Sequence, residues 1–284
     1  VANSIKQTND GGYIVAGYSY SNDGDVTGHH GTTSYADCWI VKLTSAGTIT
    51  WQKSLGGDEW DKASSIQQTS DGGYIVAGDS FSTNGNVTGN HGLTDYWIVK
   101  LTSTGTIVWQ KSFGGLYGEY ARSIQQTADG GYIVSGSGDS LDGDVIGNHG
   151  LSDYWIVKIS STGLLEWQKS LGGSKYDICY SIQQTNDGGY IVAGDSASIN
   201  GDVTGNNGNN DYWIVKLTST GRKKKKKSLG GSSYDLGRSI KQTTDGGYIV
   251  AGYSYSNDGD VTGNHGLIDY WIVKLSSFLG VNSF

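Results

Sequence analysis

The amino-acid sequence predicts an all-β fold made from five copies of one four-stranded antiparallel unit, and three observations lead there. The tetrad Asp-Gly-Gly-Tyr recurs at Asp10, Asp71, Asp129, Asp187 and Asp245, and Trp-Ile-Val-Lys recurs at Trp39, Trp97, Trp155, Trp213 and Trp271. A fixed period makes each copy one supersecondary unit that stacks on its neighbours. The 46 glycines and 19 tyrosines among 284 residues favour short strands joined by tight turns. No window keeps an apolar face at the helical spacing of about 3.6 residues, and glycine recurs too often for helices.

Taken in order, each copy opens on Ser-Ile-(Lys/Gln)-Gln-Thr at Ser4, Ser65, Ser123, Ser181 and Ser239, with spacings of 61, 58, 58 and 58 residues. The additional residues of the first copy fall around Thr33 to Ala36. In the second copy four strands are expected, Ser65–Thr69, Tyr74–Gly78, Tyr96–Leu101 and Thr106–Ser112. Ser-Asp-Gly-Gly, a long Asn/Gly loop, Ser-Thr-Gly and Gly-Gly separate them, each with the chemistry of a turn. Tyr-Ile-Val-Ala and Trp-Ile-Val-Lys-Leu are nearly continuous apolar runs, as befits strands covered on both faces. A four-stranded sheet repeated around an axis, each face packed on the next sheet, is the β-propeller. The expectation is therefore a five-bladed β-propeller of about 58 residues per repeat, one domain over residues 1–284 with repeats near 1–57, 58–115, 116–173, 174–231 and 232–284.

The combination Gly-Gly-x-x-(Tyr/Trp)-Asp, Ser-Ile-Gln-Gln-Thr, Asp-Gly-Gly-Tyr-Ile-Val-Ala-Gly, Asp-Tyr-Trp-Ile-Val-Lys-Leu and Trp-Gln-Lys-Ser-Leu-Gly-Gly resembles the β-propeller repeats of secreted and cell-surface bacterial and archaeal proteins. It is similar to the seven-bladed propeller or bacteroidetal surface repeats, and covers almost the whole chain. The resemblance implies an extracellular or cell-surface binding or structural module without catalysis, with a protein or a glycan as partner. The copy number of five departs from seven.

Several segments carry narrower expectations. The tail after Leu275 replaces Trp-Gln-Lys-Ser-Leu-Gly-Gly, and Leu279–Phe284 is expected to form a degenerate fourth strand. In the fourth copy Arg222 to Lys226 stand where the second copy has Thr106 to Gln110, so Lys223 and Lys225 occupy the positions of Ile107 and Trp109. Three readings compete for this stretch: a basic patch, a solvated edge strand guarded by lysines, or an irregularity of the gene or sequence. Trp51, Trp109 and Trp167, with the tryptophans of Trp-Ile-Val-Lys, are expected in the core.

The loop between the second and third strands repeats Asp/Asn-Gly-Asp/Asn, with Asp23 and Asp25, Asn84 and Asn86, Asp142 and Asp144, Asn200 and Asp202, Asp258 and Asp260. Six of these, Asp23, Asp25, Asp142, Asp144, Asp258 and Asp260, are candidate ligands for Ca2+, which takes oxygen donors. The competing reading has Asp and Asn capping backbone N–H groups, as such side chains do in turns. His30, His91, His149 and His265 share one position that Asn207 fills in the fourth copy, and residues related by rotation do not converge on one metal unless they face the axis.

A glycosidase needs two carboxylates with separate roles, yet Asp recurs here in equivalent copies and Glu stands only at Glu59, Glu119 and Glu166. The stronger binding signal is aromatic. Trp60, Tyr176 and Tyr234 precede Asp61, Asp177 and Asp235 in the turn before the first strand, and ring faces beside carboxylates suit sugars at blade junctions. A lectin-like propeller with repeated sites is thus the alternative function; the bland reading has these rings covering the Gly-Gly turn.

Composition sets the remaining bounds. A formal charge of −7 disfavours nucleic acid, and no apolar run reaches the roughly 18 residues of a membrane span. Cys179 aligns with Ala63, Ala121 and Gly237 and reads as a small core residue, while a Cys38–Cys179 bridge would have to cross repeats. Methionine is absent, so the chain is expected to be part of a larger polypeptide or assembly.

Overall fold

The computed structural model describes residues 1–281. Its strands are all β, and they form five sheets: four of four antiparallel strands and a fifth of three. Each sheet is one repeat read in order, so the fold is an all-β propeller assembled from contiguous blades. Packing divides the chain into two compact units, one of Val1–Val134, Ser140–Asp144 and Lys158–Glu166, the other of Ser135–Asp139, Val145–Val157 and Trp167–Phe284.

In the second sheet the strands are Asp61–Gln68, Tyr74–Ser80, Asp95–Leu101 and Ile107–Phe113. The first begins four residues earlier than the sequence predicts, at Asp61. The register shifts between Ala63 and Ser65, and that bulge breaks the alternation from which a strand is read.

Within the first unit, Ile14, Ala16, Cys38 and Ile40 of the first sheet pack against Ile66, Val76, Trp97 and Val99 of the second. Burying such a side chain is worth about 1.5–3 kcal/mol, so a junction of this kind outweighs any single polar contact in the blade. The second unit repeats the pattern between the fourth and fifth sheets, where Tyr212 and Ile214 meet Ile240, Val250 and Val273. Cys38 and Cys179 are both buried free thiols, and burial pushes the Cys179 thiol up to about 12.

A polar element that the sequence reading passed over recurs in every blade. The lysine of Trp-Ile-Val-Lys lies along the apolar sheet and places its ammonium on the aspartate of the Asp-Gly-Gly turn, at 2.9 Å for Lys42–Asp10 and Lys100–Asp71 and 2.8 Å for Lys216–Asp187. The same aspartate accepts from a threonine two residues earlier and from the second glycine's N–H, as in Thr69, Asp71 and Gly73. The joint presence of Asp-Gly-Gly and Lys in all five copies was a signal for this pair.

Trp51, Trp109 and Trp167 are half-buried rather than core. They belong to outermost strands, where only one face is covered. Trp51 packs edge-on to Tyr74 with ring centroids 5.7 Å apart, and Trp167 lies 5.8 Å from Tyr190. The lysine run forms the equivalent outer strand, Lys223–Leu229. Lys223, Lys224 and Lys226 are exposed, Lys223 pairs with Asp202, and Lys224 with Asp187 at 3.3 Å. The solvated edge strand is thus what the structure shows, and no buried charge arises.

The fifth sheet answers that substitution. Each Ser/Thr-Gly turn lies under the preceding blade's outer tryptophan, so closely that a Cβ on Gly221 would stand 2.9 Å from the Trp167 ring. The corresponding residue of the last blade is Leu279, with φ 62°, a left-handed conformation that a branched side chain adopts at a cost. Lys225 replaces the tryptophan there, and Leu279, 4 % exposed, fills the space while the Lys225 ammonium sits 3.7 Å from the Phe278 ring centroid. The expected fourth strand reduces, among the described residues, to a bridge between Leu275 and Val281; residues 282–284 of the expected strand lie outside them.

Candidate functional site

The Gly-Gly turn at Gly56, Gly114, Gly172 and Gly230 organises the surface of the blades that follow it, and its two glycines are there for close approach. The first lies between two carboxylates: a Cβ on Gly230 would be 2.5 Å from Asp211 Oδ1 and 2.6 Å from Asp235 Oδ2. The second lies against the Asp/Asn loop, where a Cβ would be 2.4 Å from Asn84 Oδ1 at Gly57 and 2.3 Å from Asp258 Oδ1 at Gly231.

Asp61, Asp177 and Asp235 are fully buried, and their carboxylates hold this turn. Asp61 accepts from the Gly57 N–H and Ser82 hydroxyl, both at 2.8 Å, and from Ser80. Asp177 accepts from Gly173 at 2.7 Å and Ser198 at 2.8 Å, and Asp235 from Gly231 and Ser256, both at 2.8 Å. Glu119 does the same with Gly115. The adjacent rings point the other way: Trp60, Tyr176 and Tyr234 are 37 %, 53 % and 48 % exposed. Ring and acid therefore do not share a ligand-facing surface: the acid turns inward onto the Gly-Gly turn while the ring stays exposed.

The loop acids are likewise engaged. Asp142 accepts from the Leu116 N–H at 2.8 Å and Asp144 from Gly114 at 3.3 Å; Asp258 and Asp260 do so from Ser232 at 2.7 Å and Gly230 at 3.3 Å. Asn84 and Asn86 make the same bonds to Asp58 and Gly56, so the positions require an acceptor rather than a charge. Asp23 and Asp25 are exposed. Among the described residues no three His, Cys, Asp or Glu side chains are grouped to hold a metal ion. We expect Asp142→Asn/Asp144→Asn to leave the melting temperature within about 2 °C of the parent, with or without chelator. A larger chelator-sensitive drop in the parent alone would contradict this account.

The histidines stay within their own repeats. His91 and His149 set Nδ1 2.6 Å from Asp95 and Asp153 Oδ2, and His30 stands 2.8 Å from Asp37.

The aromatic turn residue acquires neighbours that the sequence did not bring together. In the first unit Trp60 lines a cavity of about 470 Å³ with Tyr18, Phe81, Tyr120, Lys62, Arg122 and Asp79. The Lys62 ammonium is 4.1 Å from the Trp60 ring centroid and 5.3 Å from that of Tyr18, and Trp60 and Phe81 meet edge-on at 6.3 Å. Asp79 is 6 % exposed, and burial pushes its carboxyl up to about 6 against the pull of Arg122 and Lys62. The cavity thus offers four ring faces and two cations against one buried acid.

In the second unit the corresponding residues are arranged differently. Arg238 is held over Tyr180 at 3.8 Å, is paired with Asp195 at 3.2 Å and donates to the Tyr253 hydroxyl at 2.8 Å. Tyr176 has Ala197, not a ring, at the position of Phe81, and Tyr234 meets Tyr255 at 6.3 Å. Repeats that are alike in their cores have diverged at this rim.

Fold and cavity together define an all-β propeller with a rim pocket, and the comparisons agree at the level of fold. The chain is similar to a Bacteroides caccae protein of unknown function, with 14 % identity over 99 % of this chain and 79 % of that one, at a TM-score of 0.53. It is also similar to the Pan2 WD40 domain of Neurospora crassa, with 11 % identity over 99 % of this chain and 64 % of that one, at a TM-score of 0.56. No protein-family model and no curated protein matches the sequence. Among the described residues no helix is long and apolar enough to cross a membrane.

Proposed function

We propose that this chain is a non-catalytic binding module of extracellular or cell-surface type, and that the Trp60 pocket is its recognition site for a carbohydrate bearing a carboxylate. The observation that carries the reading is the co-location of exposed ring faces with Lys62 and Arg122 in one concave cavity on a chain whose formal charge is −7. Aromatic faces stack on the apolar face of a sugar ring, while two cations attract its acid group. The single carboxylate in the cavity, Asp79, lacks the second acid that glycoside hydrolysis requires. The resemblance of the repeats to those of surface proteins supports the location.

The test is a glycan array holding neutral and uronic-acid-containing oligosaccharides, followed by titration of Trp60→Ala and Lys62→Ala. Binding confined to acidic glycans, weakened at least tenfold by Trp60→Ala and made less salt-sensitive by Lys62→Ala, is the expected result. An array without signal, or binding indifferent to Trp60, would remove the sugar reading.

A further inference from the structure

We infer that the free face of the fifth sheet docks on the first sheet of a second copy of this chain, so that copies join head to tail. The basis is an interface already present in the second unit. There the fourth sheet presents Ile191, Ala193, Tyr212 and Ile214, all fully buried. Tyr212 donates its hydroxyl to the Trp271 carbonyl of the fifth sheet at 2.9 Å, with ring centroids 4.6 Å apart, and Tyr154 repeats this with Trp213 at 2.8 Å. The receiving surface is built from Ile240, Tyr248, Val250, Trp271 and Val273.

The fifth sheet carries the donor set again, residue for residue: Ile249, Ala251, Tyr270 and Ile272. Here, among the described residues, the face is left exposed. Tyr270 is 93 % exposed and Ile272 54 %, whereas Tyr96, Tyr154 and Tyr212 at the position of Tyr270 are all 0 %. The receiving set is repeated by the first sheet as Ile5, Tyr13, Val15, Trp39 and Val41. Ile5 is 59 % exposed against 0 % for Ile66 and Ile240, and Trp39 is half-buried where Trp97, Trp155 and Trp213 are buried.

Two exposed apolar surfaces that reproduce the two halves of a packed junction are complementary in shape and in their one directional bond. Exposed apolar patches of this kind mark interaction sites. Because the halves differ, the contact is heterologous, with each copy offering one of each.

The experiment uses the whole chain of 30.2 kDa in sedimentation equilibrium across a range of concentrations. Parent protein is expected to form species larger than one chain, increasing with concentration. Tyr270→Arg and Ile5→Arg each remove one half and should sediment as single chains. Both positions are exposed, so the fold is retained, which circular dichroism checks. Mixed together, the two variants should form a species of two chains and no larger, since Tyr270→Arg keeps an intact first sheet and Ile5→Arg an intact fifth. A parent that stays a single chain overturns the inference, as does an Ile5→Arg variant that still self-associates, which would mean a symmetric contact instead.

Discussion

Stability is expected to rise as pH is lowered from about 8 to about 5, and Asp211→Asn should flatten most of that slope within the fourth and fifth blades. Asp211 is fully buried, its Oδ1 has no hydrogen-bond partner, and it shares the close approach to Gly230 with Asp235. Burial, then the nearby charges of Asp235 and Asp260, push its carboxyl up to about 7 against the Asn207 N–H, which favours the charged form. Asp61, Asp153 and Asp195 are pushed up to about 6, again chiefly by burial. Asp211 stands highest because Asn207 occupies the place where His149 bonds Asp153.

The sign follows from proton uptake. A carboxyl raised in the fold above its unfolded value of about 3.9 stabilises fully below that value, and the contribution is lost as pH rises through 6 to 7. At pH 8 the folded protein carries these charges buried and close together, with a penalty on the order of 4 kcal/mol at Asp211, about three steps of about 1.4 kcal/mol. The asparagine keeps the acceptor for Asn207 and brings a donor toward Asp235. It should therefore be more stable than the parent at pH 8, and by a clearly smaller margin at pH 5, by chemical denaturation at each pH. A variant less stable at pH 8, with the parental slope intact, would show that the pair is not strained by charge. Asp71 sets the acid limit with the opposite sign: held down to about 2 by the Thr69 hydroxyl and Lys100, it stabilises above its unfolded value and is lost as pH falls through about 2.

The second large effect is expected where two departures from the repeat coincide. Lys225→Trp restores the residue of the other blades, yet it should destabilise by about 1–3 kcal/mol, because a ring placed as Trp167 is placed would overlap Leu279. Leu279→Gly removes the left-handed strain but also a buried side chain, and is expected to be destabilising alone by about 2 kcal/mol or more. Combined, they recreate the Trp-over-Gly contact of Trp167 and Gly221. The double variant should then be more stable than either single one, with a coupling of about 1–3 kcal/mol in a double-mutant cycle. Strict additivity would mean that the two positions do not answer each other.

The repeat itself was legible because strand periodicity and turn chemistry are local. Asp-Gly-Gly, the Asn/Gly loop and Gly-Gly punctuate apolar runs whose residues can only be strands covered on both sides, and the sheets follow those boundaries. The bulge at Ser64 hid the start of each first strand, since register is a property of the partner strand. Asp142 and Asp144 looked like cation ligands in the sequence, and became caps once the Gly-Gly turn was seen to lie against them.

What the chain dictates by sequence alone is therefore the blade: its strands, its turns and which residues it must bury. Packing determined which way each polar group leaves the backbone, so that Asp61 turns inward while Trp60 meets Lys62 and Phe81 outside. It also determined which copies of an identical apolar face are covered, as at Tyr212, and which are bare, as at Tyr270. The reason is physical: identical side chains acquire different surroundings only from what stands beside them, and that is non-local.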